Sequence, residues 1–239
     1  MRALLLLYLV ALIPACSPLS ASSSGGLDYW GNKPGPQGFR TVIIDAGHGG
    51  KDPGAVSRHT GQREKDANLD LAKRLRSELG GSFRSVMLRS DDRFVDLDDR
   101  VNFANRYPGA ILVSLHFNSG SSSRRGPETY WWRVDSHGLA VRCQRAMKSV
   151  SPYSSNAGLS RRRLRLTRNP SIPCVLLEGG YMSHSAEARQ IDSPAYRTKL
   201  ARAIAGAIRD QAAKGDAGTG PRPRFIKAPP SRPTDAPGS

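Results

Sequence analysis

Short apolar segments alternate with amphipathic segments from Thr41 to Ala213, and this alternation restricts the fold more than any other feature. It predicts a single α/β domain with a largely parallel sheet and helices on both faces. The predicted strands are Thr41–Asp45, Ser85–Arg89, Ala110–Leu115, Glu128–Val134 and Pro173–Glu178. The predicted helices are Glu64–Leu79, Asp98–Tyr107, Leu139–Val150 and Pro194–Ala213. Beside the second helix, Leu97, Val101 and Ala104 are expected to face the core.

The N-terminus predicts export. Arg2 precedes an apolar run, residues 3–13, that is too short to span a membrane as a mature helix. The letters LIPAC, which end at Cys16, resemble the lipobox of bacterial lipoproteins. We therefore expect residues 1–15 to be a signal peptide. Cys16 would then carry a lipid anchor on an exported protein of the periplasm or cell envelope. Ordinary cleavage nearby, without a lipid, is the alternative.

Composition divides the rest of the chain into three parts. Residues 16–39 are rich in Ser, Gly and Pro, which predicts a flexible spacer. Residues 214–239 combine Pro, Gly and basic residues with little to bury, which predicts a disordered tail. The segment between them, residues 40–213, is long enough to bury a hydrophobic core and is expected to be the folded domain.

The charge of the chain points toward a polyanionic partner without identifying it. The 239 residues carry a formal net charge of +16. Such charge attracts nucleic acids, membrane surfaces and anionic cell envelopes. The sequence has no helix-turn-helix spacing, no Cys/His finger and no aromatic-rich RNA-binding strand. We therefore expect no nucleic-acid partner, in agreement with the export signal.

Two further cysteines argue against thiol chemistry. Cys143 lies on the apolar face of a predicted helix, and Cys174 lies in an apolar predicted strand. We expect two separate buried thiols, since a reactive cysteine is partly exposed and stands near a positive charge. A serine hydrolase is also disfavoured because the chain lacks the Gly-x-Ser-x-Gly elbow.

Polar side chains that can bind a metal follow three of the predicted strands. His48 follows the first strand, His116 follows the third and Glu178 ends the last, while Glu64 begins the first helix. Ligands bind beyond the carboxyl ends of the strands in open α/β sheets, so these side chains are expected to meet. Two imidazoles and one carboxylate are a recurring ligand set for catalytic zinc. The pattern leaves open whether Glu64 or Glu178 is the third ligand. The other carboxylate would transfer protons during hydrolysis.

Five segments, in their order along the chain, resemble the type 3, zinc-dependent N-acetylmuramoyl-L-alanine amidases of bacterial cell-wall turnover. They are IIDAGHGGKDPGA (Ile43–Ala55), EKDANLDLAKRL (Glu64–Leu75), LDDRVNFAN (Leu97–Asn105), ILVSLHFNS (Ile111–Ser119) and IPCVLLEGGYMS (Ile172–Ser183). The resemblance covers Thr41 to Ile208, which is nearly all of the predicted domain.

The resemblance implies a site and a reaction. His48, Glu64 and His116 match the family's ligands for one Zn²⁺ per chain, and Glu178 matches its catalytic glutamate. The implied fold is a mixed, mainly parallel sheet flanked by helices. The implied reaction is hydrolysis of the amide between N-acetylmuramic acid and L-alanine in peptidoglycan. A zinc peptidase that cuts within the stem peptide and a catalytically silent wall-binding lipoprotein are the alternatives.

Three neighbouring residues have two interpretations each. Asp45 either orients a metal ligand or caps a strand end. Asn118 either hydrogen-bonds the substrate or shapes its own loop. Arg100 matches a recurrent arginine of the family and is interpreted as a structural ion pair or a substrate contact.

Aromatic and basic residues beyond the site could also contact the substrate. Tyr130, Trp131 and Trp132 could stack on sugar faces, but alternate strand residues face opposite ways, so one tryptophan is expected in the core. Arg161–Arg163 and Arg165 could steer the carboxylates of stem peptides or could form a solvated loop.

The stretch between His116 and Glu178 bears on regulation. Some members of the family insert a helical segment there that blocks the zinc until an activator binds. A predicted strand and helix already occupy this stretch. We therefore expect no blocking helix and no obligatory activator.

Overall fold

The computed structural model describes residues 30–153 and 158–232. The predicted signal peptide and Cys16 lie outside these residues. None of the helices within them combines the length and apolar character needed to cross a membrane.

The described residues form one mixed sheet of six strands in the order β2-β1-β3-β6-β4-β5. The strands are β1 (Thr41–Ala46), β2 (Arg84–Met87), β3 (Ile111–Asn118), β4 (Glu128–Trp131), β5 (Gly158–Arg161) and β6 (Cys174–Tyr181). β4 runs antiparallel to β6, and the other neighbouring strands pair in parallel. The predicted α/β class with a mixed, mainly parallel sheet is confirmed.

Helices cover both faces of this sheet. They are α1 (Glu64–Leu79), α2 (Leu97–Asn105), α3 (His137–Val150), α4 (Arg165–Arg168), α5 (Ser185–Asp192) and α6 (Pro194–Lys214). α1, α3 and α6 pack together over one face, while α2 and α4 pack over the other.

The strands at the centre of the sheet are apolar on both sides. In β1, Val42 and Ile44 belong to the larger core beneath α1 and α6, whereas Ile43 belongs to the smaller core beneath α2. Burial of both faces explains why these strands are continuous apolar runs in the sequence. The same packing fixes the carboxyl ends of β1, β3 and β6 side by side.

β4 ends at Trp131, earlier than predicted. A short 3-10 helix, Val134–Ser136, follows it and turns the chain away from the sheet. Arg133 and Asp135 form a buried ion pair at this turn, with 2.6 Å between Nη2 and Oδ2. The apolar letters beyond Trp131 therefore did not mark a longer strand.

The expectation that Leu97 faces the core is wrong. Its side chain is 40% exposed, whereas Val101 and Ala104 are buried as predicted. Asp96 caps α2 at its N-terminus, and the first turn of the helix stands at the mouth of a cavity that Leu97 lines.

Both ends of the domain differ from the sequence expectation. Part of the predicted spacer, residues 30–39, packs on the domain, and Phe39 is buried in the larger core. Part of the predicted tail, residues 215–232, is also packed. Asp216 Oδ2 accepts a hydrogen bond from Gly35 N at 2.7 Å and joins the two segments. These segments are held largely by polar contacts to the backbone, so their composition gave no sign of order.

The two cysteines agree with their prediction. Cys143 and Cys174 are free thiols, and both are buried. Burial raises the pKa of each thiol to about 12, so neither ionises at neutral pH.

Candidate metal and catalytic site

A glycine-rich loop after β1 positions His48. His48 has a φ of 60°, and it is the one non-glycine residue with positive φ in the described ranges. Gly49 and Gly50, with φ values of 129° and 58°, continue the turn. A side chain in this left-handed region is strained, and such strain clusters at functional sites. Asp52, later in the same loop, forms a hydrogen bond with His48, with 2.7 Å between Asp52 Oδ2 and His48 Nδ1.

Glu64 lies between the two imidazoles. Its Oε1 is 3.1 Å from His48 Nε2 and 2.9 Å from His116 Nδ1. Each of the three residues offers one ligand atom, and these atoms all lie within 4.8 Å of one another. Glu64 begins α1 and His116 lies near the end of β3, so the first helix and the central strand meet at this point.

Two glycines allow this close approach. A Cβ at Gly47 would stand 2.1 Å from His116 Cε1, well inside van der Waals contact. A Cβ at Gly54 would stand 2.6 Å from Glu64 Oε2. The glycines of the loop therefore leave room for the ligand set as well as giving the backbone its turn.

The electrostatics of the three residues suit a bound cation. Burial disfavours the charge of Glu64, but hydrogen bonds to His116 and His48 outweigh it and lower the pKa of the carboxyl. Burial also opposes the charge of His48, but its bonds to Glu64 and Asp52 raise the pKa of the imidazole to about 9. The site thus draws positive charge to the space between these atoms.

Glu178 differs from the ligand set. It lies on β6, directly opposite His116 on β3 and Glu128 on β4. Its side chain is buried, and its Oε2 has no hydrogen-bond partner. Burial, followed by the nearby carboxylates of Glu64 and Glu128, raises the pKa of Glu178 well above its ordinary value. A buried carboxyl with a raised pKa, placed in a cavity, is a candidate for proton transfer.

Asp45 and Arg100 form a structural pair behind the site. Arg100 Nη1 lies 2.5 Å from Asp45 Oδ1, and Ser114 Oγ donates to Asp45 Oδ2 at 2.7 Å. Arg100 also donates to the carbonyls of Ala46 and His48. Of its two interpretations, the structural ion pair agrees with these contacts, and the pair anchors the loop that carries His48.

Asn118 belongs to a network of polar side chains beside Glu178. Its Nδ2 lies 3.2 Å from Glu128 Oε2 and 3.3 Å from the Tyr130 hydroxyl. The Tyr181 hydroxyl donates to the same oxygen of Glu128 at 2.9 Å. Asn118 thus shapes the end of β3 from beside the site, and it also lines the cavity.

Sequence reasoning missed Asp52 and Glu128. Asp52 lies four residues after His48 in the same loop, and a search for acidic residues near the histidine could have found it. Glu128 lies beside Glu178 because β4 pairs with β6, and the sequence does not reveal which strands are neighbours.

The site opens into a cavity of about 570 Å³. Its walls include His48, Glu64, His116 and Glu178, together with apolar residues and three arginines, which are Arg100, Arg165 and Arg232. Of the residues that could bind sugars, Tyr130 and Trp131 are buried, and Trp131 lies in the larger core. The prediction that one tryptophan packs in the core is confirmed.

The arginine run divides among different roles. Arg161 lies over the rings of Trp131 and Trp132, with 4.8 and 5.2 Å to their centroids, and Arg162 lies over Tyr130. Arg165 lines the cavity. The run is therefore not a solvated loop throughout.

With the geometry of His48, Glu64 and His116 described, comparison with other proteins identifies the family. Residues 42–210 match the family model described as N-acetylmuramoyl-L-alanine amidase. The chain belongs to this family. It is 33% identical over 172 residues to the N-acetylmuramoyl-L-alanine amidase LytC of Bacillus subtilis. The aligned region covers 69% of this chain and 34% of LytC. The chain thus spans about a third of LytC.

Solved structures agree. The catalytic domain of the amidase CwlV from Bacillus (Paenibacillus) polymyxa superposes with a TM-score of 0.68 at 33% identity, covering 72% of this chain and 97% of that domain. The CwlD amidase of Clostridioides difficile, solved in complex with the GerS lipoprotein, has a TM-score of 0.68 at 29% identity and the coverages are 72% and 97%. The predicted family and enzyme class, a peptidoglycan amidase, are confirmed.

Proposed function

We propose that this chain hydrolyses the amide between N-acetylmuramic acid and L-alanine with one Zn²⁺, held by His48, Glu64 and His116. Glu178 is the catalytic residue. One observation carries this assignment above the others. Three ligand atoms lie within 4.8 Å of one another in the same cavity as a buried carboxyl oxygen that has no partner.

The donor set fits zinc. Two imidazole nitrogens and one carboxylate oxygen are a known ligand set for catalytic zinc, and they leave a coordination position for water or substrate. When bound, the ion polarises a carbonyl and lowers the pKa of a water molecule. Asp52 holds Nδ1 of His48, so Nε2 is the nitrogen that faces the other ligands.

Glu178 transfers the protons of the reaction. Its raised pKa and unpartnered Oε2 suit a group that takes a proton from the attacking water and gives it to the departing amine of L-alanine. Glu128 supports this role from the neighbouring strand, since its negative charge contributes to the raised pKa of Glu178.

Export and lipid anchorage at Cys16 complete the proposal, with peptidoglycan as the substrate at the periplasmic face or in the cell envelope. The LIPAC letters and the basic N-terminus support it. The substrate of the family supports an enzyme that works outside the cytoplasm.

Activity without a partner protein is also part of the proposal. The CwlD amidase was solved in complex with the GerS lipoprotein, and that complex concerns CwlD. Here the described residues between β3 and β6 include the strands β4 and β5, which belong to the sheet, and the helices α3 and α4, which pack against it and leave the cavity open.

Product analysis tests the assignment. Protein without residues 1–15 is incubated with peptidoglycan, with and without a chelator, beside Glu178→Gln. Glu78→Gln is the matched control, because Glu78 lies on α1 outside the cavity lining. We expect wild type and the control to release peptides that begin at L-alanine, and we expect the chelator and Glu178→Gln to prevent release.

Two results would contradict the proposal. Shortened peptides that remain on the glycan would mean a zinc peptidase that cuts within the stem, since it would use the same four residues. No release from a zinc-loaded protein would mean a wall-binding protein or a required activator.

A further inference from the structure

The C-terminal segment 215–232 lies beyond the family match, which ends at residue 210. It runs from the end of α6 along β5 and α4. Arg161 Nη1 donates to the carbonyl of Arg224 at 2.6 Å, and Arg168 Nε donates to the carbonyl of Ala228 at 3.0 Å. Arginines of the catalytic domain therefore hold this segment by its backbone.

The segment is fixed most firmly at Ser231. Ser231 N donates to Asn169 Oδ1 at 2.7 Å, and Asn169 Nδ2 donates back to the carbonyl of Ser231 at 3.1 Å. Ser231 Oγ donates to the carbonyl of Arg163 at 2.8 Å, and Ser231 is 3% exposed. This anchor places the next residue, Arg232, on the wall of the active-site cavity.

Arg165 lines the same cavity with part of its guanidinium unused. Its Nη1 lies 2.6 Å from Asp98 Oδ1, and the side chain is 11% exposed. Its Nε is buried and has no hydrogen-bond partner. A buried N–H without an acceptor is costly, so an acceptor from a bound molecule would stabilise it.

Arg100 and Asp52, which also line the cavity, already have partners within the protein. Arg100 binds Asp45 and the carbonyls of Val95, Ala46 and His48. Asp52 binds His48 and the backbone of Gly54. Arg165 therefore presents a donor that the protein itself does not satisfy, and Arg232 adds a second positive charge to the same wall.

We propose that Arg165 and Arg232 form a subsite that binds a carboxylate of the stem peptide. The planar guanidinium binds carboxylates by paired hydrogen bonds, and the Nε edge of Arg165 is the edge that lacks an acceptor. The inference rests on the proposed function, because the substrate there is a peptide that carries carboxylates. It makes the C-terminal segment a part of the substrate cleft.

Binding of two dipeptides tests this subsite without requiring catalysis. The first dipeptide is L-alanyl-D-glutamate, which has two carboxylates. The second is its diamide, in which both carboxylates are replaced by uncharged carboxamides. Dissociation constants are measured by calorimetry on the zinc-loaded protein without residues 1–15. We expect wild type to bind the dicarboxylate about tenfold more tightly than the diamide.

Three variants assign the preference. Arg165→Gln is expected to reduce it to less than about twofold, because this donor is buried. Arg232→Gln is expected to remove about a threefold factor, since an exposed charge is screened by solvent. Asn169→Ala keeps both arginines but removes the anchor of Ser231, and it is expected to behave like Arg232→Gln. Arg222→Gln, an exposed arginine of the same segment, is the control that should keep the full preference.

The outcomes separate the two proposals. Equal binding of both dipeptides by wild type, or an unchanged preference in Arg165→Gln, would overturn the subsite even if the amidase reaction is observed. A preference that follows Arg165 and Arg232 in a protein that releases no stem peptide would uphold the subsite and overturn the proposed reaction. An equal loss in Arg222→Gln would mean a general charge effect and would also overturn the subsite.

Discussion

Asp45 and Glu178 are buried carboxylates on β1 and β6, the strands that flank β3. Burial opposes ionisation in both. For Asp45, the charge of Arg100 and the hydrogen bond from Ser114 outweigh burial and lower its pKa. For Glu178, the neighbours are carboxylates and one oxygen has no partner, so its pKa rises. A satisfied carboxylate holds the backbone in place, whereas an unsatisfied one remains available for chemistry.

The largest expected effect tests the unsatisfied member. Glu178→Gln should lower kcat by about 10³-fold, within the range for loss of a general acid–base group. Its unfolding free energy should change little, because no partner loses a bond. Turnover of peptidoglycan and urea unfolding measure the two quantities. A large loss of stability would show that Glu178 also holds the fold together.

The satisfied member should respond in the opposite way. Asp45→Asn should lower the unfolding free energy by about 3 kcal/mol, because it leaves the buried Arg100 without its counter-ion. Urea unfolding measures the loss. Asp210→Asn is the control, since Asp210 pairs with Lys214 on the exposed face of α6 and should cost less than about 1 kcal/mol. Similar losses in the two variants would contradict the comparison.

Gly47→Ala tests the space around the ligands. The added methyl would meet the ring of His116, so we expect zinc affinity to fall about 10–100-fold, as when a ligand is misplaced. Competition with a chelating dye measures the affinity. Gly206→Ala, at a helical glycine in open space, should leave it unchanged. Unchanged affinity in Gly47→Ala would mean that the loop shifts without cost.

The smallest expected effect is a dependence on pH. Because the pKa of Asp45 is lowered in the folded state, its stabilisation is fully present above its unfolded pKa of about 3.9. The stabilisation is lost as pH falls through the folded pKa. The stability difference between wild type and Asp45→Asn should therefore shrink below about pH 4. Urea unfolding at several pH values measures it, and a constant difference would mean that the carboxylate charge is not the cause.

The sequence predicted the centre of the molecule better than its edges. β1, β3 and β6 are buried on both faces, so their apolar runs are long and unambiguous. The short elements β5, α4 and α5 were not predicted. They depend on tertiary contacts such as the hydrogen bond from Arg162 N to the carbonyl of Trp131, which periodicity cannot reveal.

The site was predictable in its members but not in their arrangement. Spacing indicated His48, His116 and two carboxylates without saying which carboxylate joins the histidines. The choice depends on distances between elements, since Glu64 contacts both rings while Glu178 does not bond to either. Arg165 on α4 and Arg232 in the C-terminal segment line the same cavity. The sequence left the role of Arg165 open between substrate steering and a solvated loop, and it predicted a disordered tail around Arg232.

The left-handed backbone of His48 has a consequence for how the ion is acquired. Arg100 holds this strained backbone in place by donating a hydrogen bond to the carbonyl of His48. In the proposed enzyme, this hydrogen bond holds the loop without help from the metal, so little of the binding energy of the ion would be spent on rearrangement. A loop held in this way would position His48 in the same place before and after metal binding.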